Sequence, residues 1–208
     1  GQWDQEILFR SNNRTGRVEL LKNKIRISVL HEGDLSKVLS HGHLKEKTEK
    51  VTRLRGHVVL LECVNANSQI QPQGEQKLHT YHNYFLGDDT SRWASRVPLY
   101  REAIQKNVWE GIDLVVNQNG GSYAYDFRVQ PHADPAKIRL KYSGQESLRI
   151  VENSIVIETS IGEIVEKKPL VYQWVDGKQK AIACNYVLKD NQVGYALPEG
   201  YDKTLPLI

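Results

Sequence analysis

Methionine is missing from all 208 residues, position 1 included. The chain is therefore expected to start after processing or to be a piece of a longer one. Its end, Leu205-Pro-Leu-Ile208, reads as cut inside an apolar strand. Cysteine occurs only at 63 and 184. Both sit on apolar alternations, Val59-x-Leu61-x-Cys63 and Ile182-x-Cys184-x-Tyr186, where thiols act as small core residues. A disulfide would require the two strands to adjoin, and two isolated cysteines make a poor metal site. No apolar run approaches the ~20 residues of a membrane span; residues 58–61 are typical of the longest. No secretory leader is visible. Neither sign of charge dominates: 28 basic residues against 25 acidic leave +3, too mild to argue for nucleic acid. There is no Gly-x-Ser-x-Gly, phosphate loop or dinucleotide fingerprint. No local grouping of Ser, His and Asp selects a triad. A non-enzyme that uses neither cofactor nor metal is the expectation.

The chain does contain short alternating segments, 14 of them, punctuated by turn signals. They cover 7–10, 17–21, 24–31, 57–64, 97–104, 112–117, 122–130, 137–142, 147–151, 154–159, 162–166, 170–175, 179–188 and 192–197. Asn119-Gly120, Ser143-Gly144, Asp176-Gly177 and Asp190-Asn191 are the sharpest turns. Such spacing predicts an all-β, antiparallel, sandwich-like meander with only short helical turns. A turn centred on Asp190-Asn191 pairs Leu188 with Val193 and Tyr186 with Tyr195. Residues 34–50, rich in Lys, Glu and His, read as a long mobile loop or edge hairpin, with an amphipathic turn from Leu35, Val38 and Leu39 as the alternative. A break at 71–77, with Pro72 and Gly74, suggests an N-terminal layer over 1–80 and a main meander over 81–208, joined as one folded unit.

Asn119-Gly120 is the strongest hairpin signal, since both central positions of a type I′ turn need positive φ. Centring there places Val116 opposite Tyr123, Leu114 opposite Tyr125 and Ile112 opposite Phe127. One side is wholly apolar. The other side sets Asp113 directly against Asp126, and facing like charges are unfavourable. Arg128 could neutralise the pair through a bidentate contact. A Ca²⁺ ion could also do so, and a catalytic carboxylate pair would have similar spacing.

Other candidates are more ordinary. Asp88-Asp89 before Thr90-Ser91 reads as a helix cap, with a cation site as the sharper alternative. Tyr81, Tyr84, Phe85, Trp93, Tyr100 and Trp109 cluster in sequence. They are core aromatics, or in part a sugar platform that would include Trp93 and Trp109. His41-Gly-His43 and the pair His79 and His82 lack a companion acid or cysteine at ligand spacing.

The block from Tyr81 onward resembles a domain of unknown function found in large exported bacterial (Bacteroidetes-type) surface proteins. The resemblance rests on Asn83-Tyr-Phe-Leu-Gly-Asp88 with Trp93, Gly111-Ile-Asp-Leu114, Tyr125-Asp-Phe127, Ala133-Asp-Pro135 and Pro169-Leu-Val-Tyr-Gln173. Gly1-Gln-Trp-Asp4 matches the opening, and Tyr201-Asp with Pro206-Leu-Ile208 the close. The chain departs from the pattern at Pro131-His132, Trp109 and Glu110. In that family the domain lies near the mature N-terminus, before SBBP-type beta-propeller repeats, PKD-like modules or a sorting signal. The resemblance implies a secreted or cell-surface setting and transfers no catalytic residue. The expected function is a non-catalytic structural or interaction module, with other domains of the same long chain as partners and a surface glycan or protein beyond them. A carbohydrate-binding or glycan-processing domain is the alternative. An open groove with exposed aromatics beside acids would favour it; buried aromatics would favour a structural module.

Overall fold

The computed structural model describes residues 4–13, 15–40, 53–119 and 122–208. In chain order the elements begin with β1 (Phe9–Asn12), β2 (Gly16–Leu21), β3 (Lys24–Leu30), α1 (Glu32–Ser40) and β4 (Gly56–Cys63). Then follow β5 (Gln73–Tyr84), β6 (Ala94–Trp109), β7 (Ile112–Asn119), β8 (Ser122–Val129) and β9 (Leu140–Ser143). The last seven are β10 (Ser147–Val151), β11 (Ser154–Thr159), β12 (Gly162–Glu166), β13 (Val171–Val175), β14 (Lys178–Ile182), β15 (Asn185–Lys189) and β16 (Gln192–Ala196). Single 3-10 turns occupy Thr90–Arg92 and Pro135–Lys137.

Among the described residues the fold is all-β and antiparallel, without a closed barrel. A seven-stranded sheet runs β1-β2-β3-β4-β9-β16-β15, and a four-stranded sheet runs β5-β6-β7-β8. The strands β10-β11-β12 form a third sheet and β13-β14 a hairpin. Strands from the first 80 residues and from the last 70 therefore share one sheet. Period-two burial builds it: Val59, Leu61 and Cys63 of β4 are all 4% exposed or less, while the alternate residues Val58, Leu60 and Glu62 are less buried. These residues, Leu114 and Phe127 of the four-stranded sheet, and Ile155 and Ile157 of β11 belong to one continuous core.

One buried charge stands inside this sheet. Glu19 of β2 is 1% exposed and lies directly between Arg10 on β1 and Arg26 on β3 in the strand register. Arg10 Nε donates to its Oε1 at 2.7 Å and Arg26 Nε to its Oε2 at 2.5 Å. Arg17 Nε stands 3.9 Å from Oε1. A carboxylate between two guanidinium groups has its lone pairs occupied, which is what a buried charge requires.

The turn at Asp190-Asn191 has both residues left-handed, φ 51° and 58°, and pairs Leu188 with Val193 and Tyr186 with Tyr195 as the sequence predicts. Elsewhere the elements shift. The single strand expected over 179–188 is two: β14 pairs with β13, and β15 joins β16 in the large sheet. The expected break at 71–77 is strand from Gln73 on. Pro72 precedes the first paired residue, and at Gly74 an added Cβ would fall 2.5 Å from the Tyr100 ring. That glycine serves close packing, not a turn. Of the expected loop 34–50, residues 34–40 are helical. Asp34 fixes the helix by accepting from Arg55 N at 3.1 Å and from Arg55 Nε and Nη2 at 2.9 Å each. Those bonds to Arg55 hold its carboxyl well below the usual carboxylate range. Residues 41–50, with His41 and His43, lie outside the described residues.

Candidate functional site

The hairpin carrying Asp113, Asp126 and Arg128 is in a different register from the expected one. Asn119 pairs with Ser122, so the two connecting residues are 120 and 121; these two lie outside the described residues. Relative to a turn centred on Asn119-Gly120, each partner moves by two. Ile112 now faces Val129, Leu114 faces Phe127, and Asp113 faces Arg128, while Asp126 faces Val115. A shift of two keeps every side chain on its own face, so the apolar side survives intact. The shift also relieves the facing aspartates by placing a cation opposite Asp113. The two acids then act separately. Asp113 Oδ1 accepts from Asn107 N at 2.7 Å, where the backbone of β6 bulges with Asn107 at φ 48°. Asp126 Oδ2 accepts from Asn117 Nδ2 at 2.9 Å. Burial pushes its carboxyl up, against the Asn117 bond and the Arg128 charge. Arg128 is committed elsewhere, donating to Glu102 Oε2 at 2.9 Å. Among the described residues no three His, Cys, Asp or Glu side chains are grouped as a metal site.

Arg128 is 40% exposed and Glu102 19%, so solvent screens this pair. Replacing Arg128 with alanine should cost at most about 1 kcal/mol, and added Ca²⁺ should leave the melting temperature of the native chain unchanged. A thermal melt with and without Ca²⁺ reads both. A loss of several kcal/mol, or a Ca²⁺-dependent rise, would restore a shared site at the two aspartates.

The aromatic block divides. Trp109 is 6% exposed, donates Nε1–H to Val64 O at 2.9 Å and packs on Phe127 with ring centroids 5.7 Å apart. It is a core residue and offers no platform. Trp93 lies at the far end of the β5-β6 hairpin, whose pairing runs from Gln73 with Ile104 out to Tyr84 with Ala94. At that tip Tyr81, Phe85, Leu86 and Trp93 are 52, 54, 65 and 42% exposed. The loop is nevertheless fixed. Trp93 Nε1–H donates to Gly87 O at 3.0 Å, and Gly87 holds φ +74°, which favours glycine. Asp89 caps the 3-10 turn by accepting from Ser91 N at 3.0 Å and Ser91 Oγ at 2.6 Å. These bonds lower its pKa. Asp88 is exposed beside it.

A concave feature that combines apolar walls with buried polar groups lies elsewhere. A cavity of about 630 Å³ opens between β3, the β7-β8 hairpin and the segment 167–170 that follows β12. Ile25, Ile27, Val116, Phe127 and Ile164 supply apolar wall. Glu166, Tyr125, Tyr186 and Tyr195 line it too. Glu166 Oε2 accepts from Tyr125 OH at 2.8 Å and from Tyr142 OH at 2.9 Å. Its Oε1 is buried with no hydrogen-bond partner among the described residues. Burial raises the Glu166 pKa against the pull of the two phenols. Burial first, and then the Glu166 charge, push the Tyr125 and Tyr142 phenols well above their usual range. Tyr195 rises through burial, then Tyr186 and Glu166. Cys184 also lines the cavity and is free, as is the buried Cys63. Burial takes their pKa values to about 11 and about 12, so both thiols stay protonated and weakly nucleophilic at neutral pH.

The sequence reading places Tyr186 and Tyr195 on an apolar face but gives Glu166 no role. Beside Lys167-Lys168 a strand-end glutamate looks solvated. The available signal is its parity with Ile164, which points the same way into the cavity. Of the candidate binding residues Asp88, Asp89, Trp93, Trp109, Asp113, Asp126 and Arg128, Asp126 alone lines this cavity, with its carboxylate already bonded to Asn117.

No curated protein and no solved structure matches this chain. A family model described as a domain of unknown function, DUF7948, matches residues 1–208, and the chain belongs to that family.

Proposed function

We propose that the chain is a non-catalytic interaction module of a longer exported cell-surface protein, and that it meets its partner through the tip of the β5-β6 hairpin. The observation that carries this reading is the exposure of Tyr81, Phe85, Leu86 and Trp93 together at one end of a projecting two-stranded arm. Large apolar side chains held out on an ordered tip mark a contact surface, and fixing the loop beforehand reduces the ordering cost of binding. The export setting rests on the resemblance to domains of surface proteins. The absence of catalytic motifs in the sequence supports a binding role.

A glycan partner is the second reading. The exposed Phe85 and Trp93 share a loop with the exposed Asp88, an aromatic-plus-acid set suited to sugars. Their rings are tilted by 55° with centroids 5.4 Å apart, so they form a corner and not one flat platform. A protein contact fits that shape better. A binding screen against immobilised glycans and matrix proteins should lose its positive signals when Phe85, Leu86 and Trp93 are replaced together by serine. Hits confined to glycans would favour the second reading. Binding that survives the triple replacement would move the contact off the arm.

A further inference from the structure

We propose that the cavity between β3 and the β7-β8 hairpin is a binding site for a small organic amine, with its apolar body against Ile25, Ile27, Val116 and Ile164 and its ammonium group at Glu166. This site is independent of the arm tip. The argument begins with an imbalance. Glu166 is a buried carboxylate that makes no ion pair among the described residues; its only donors are the two phenols on Oε2. Its second oxygen, Oε1, is buried and unpartnered. Elsewhere in this protein a buried carboxylate is matched: Glu19 has two guanidinium partners. An unmatched buried acceptor beside apolar and tyrosine walls is complementary to a donor that carries positive charge.

The rings favour the same class. Tyr186 and Tyr195 have centroids 5.5 Å apart, and Phe127 is 6.0 Å from Tyr195. Tyrosine and phenylalanine faces attract cations, most strongly where water is excluded. The rim carries Arg17, Lys167 and Lys168, which would suit an anionic head group instead. All three are exposed, and solvent-exposed charges contribute little. The buried Glu166 decides the sign. A long-chain carboxylate would set its charge outside the cavity and leave Oε1 unmatched.

The test uses three probes of one size: n-hexylamine, n-hexanol and n-hexanoate. Each is titrated calorimetrically into the intact chain at pH 7 and followed by tyrosine-ring NMR shifts. Hexylammonium should bind about tenfold or more tighter than hexanol, as a charge-assisted contact requires, and hexanoate weakest. The rings of Tyr125, Tyr186 and Tyr195 should shift. The near-isosteric Glu166→Gln should erase the preference for amine over alcohol. The proposal fails if alcohol or carboxylate binds as tightly as amine, or if the preference survives in Glu166→Gln. It fails equally if none of the probes moves those tyrosine rings. If Glu166→Gln does not fold, the ranking and ring shifts in the native chain decide.

Discussion

Replacing Glu19 with alanine should lower the unfolding free energy by about 3–5 kcal/mol, the range for breaking a buried ion pair from one side. The size follows from what is left behind. Arg10 and Arg26 flank Glu19 on the two neighbouring strands, and their side chains are only 15% and 26% exposed. Without the carboxylate, two partly buried guanidinium groups face each other across the vacated position, 1% exposed in the native chain. Like charges across strands add to the loss. The partial exposure of the arginines moves the expectation toward the lower end. A urea titration should show the midpoint falling at nearly constant slope. A change under 1 kcal/mol would mean that the three-strand Arg–Glu–Arg ladder is solvated in solution. The same experiment on Arg128→Ala supplies the contrast, since that pair has open access to water.

The ladder also shows where sequence reading stops. The alternation over 17–21 is legible, and so is the all-β class. Which arginine faces which glutamate depends on register, and register is a property of two strands together. The β7-β8 hairpin makes this concrete. Asn119-Gly120 is a sound local turn signal, yet the pairing closes around residues 120 and 121. Both registers bury the same apolar face, so the hydrophobic pattern cannot choose between them. The choice lies with Asp113, which faces Arg128 in one and Asp126 in the other. Turn chemistry alone offered Asn-Gly; cross-strand charge favoured the alternative. By contrast, the Asp190-Asn191 hairpin has no competing charges opposite each other, and there the local signal held. Gly74 misled in another way. It reads as punctuation, but it makes room for Tyr100, a contact that no local pattern reveals. The cavity was hidden for the same reason: Glu166, Tyr125, Tyr142 and Tyr195 come from four strands that only the topology assembles.

Removing the acceptor at Glu166 should also be costly, and its titration should leave a distinctive pH signature. In Glu166→Ala, Tyr125 and Tyr142 lose the oxygen that both donate to. Their hydroxyls stand 3.3 Å apart, so one can turn to the other and a single buried donor is orphaned. That costs about 1–3 kcal/mol, with a further contribution from the enlarged cavity. Glu166→Gln keeps an acceptor oxygen for the phenols and removes the charge, which isolates the titration. Burial raises the folded-state pKa of Glu166 above its ordinary 4.5. A raised acid binds its proton more tightly folded than unfolded. Its stabilising contribution is therefore complete below the unfolded pKa and is lost as pH climbs through the folded one. Asp126 is raised too and acts in the same direction. Asp34 is depressed, so its contribution is present above the unfolded pKa and falls away in more acid solution. Between about pH 5 and 7.5 the raised acids should govern, and the native chain should weaken as pH rises. Urea midpoints at those two values should show Glu166→Gln gaining on the native chain at the higher pH. Adding Asp126→Asn should flatten the remaining slope. Parallel pH profiles for the native chain and Glu166→Gln would mean that Glu166 reaches water, and its burial against Tyr125 and Tyr142 would have to be abandoned.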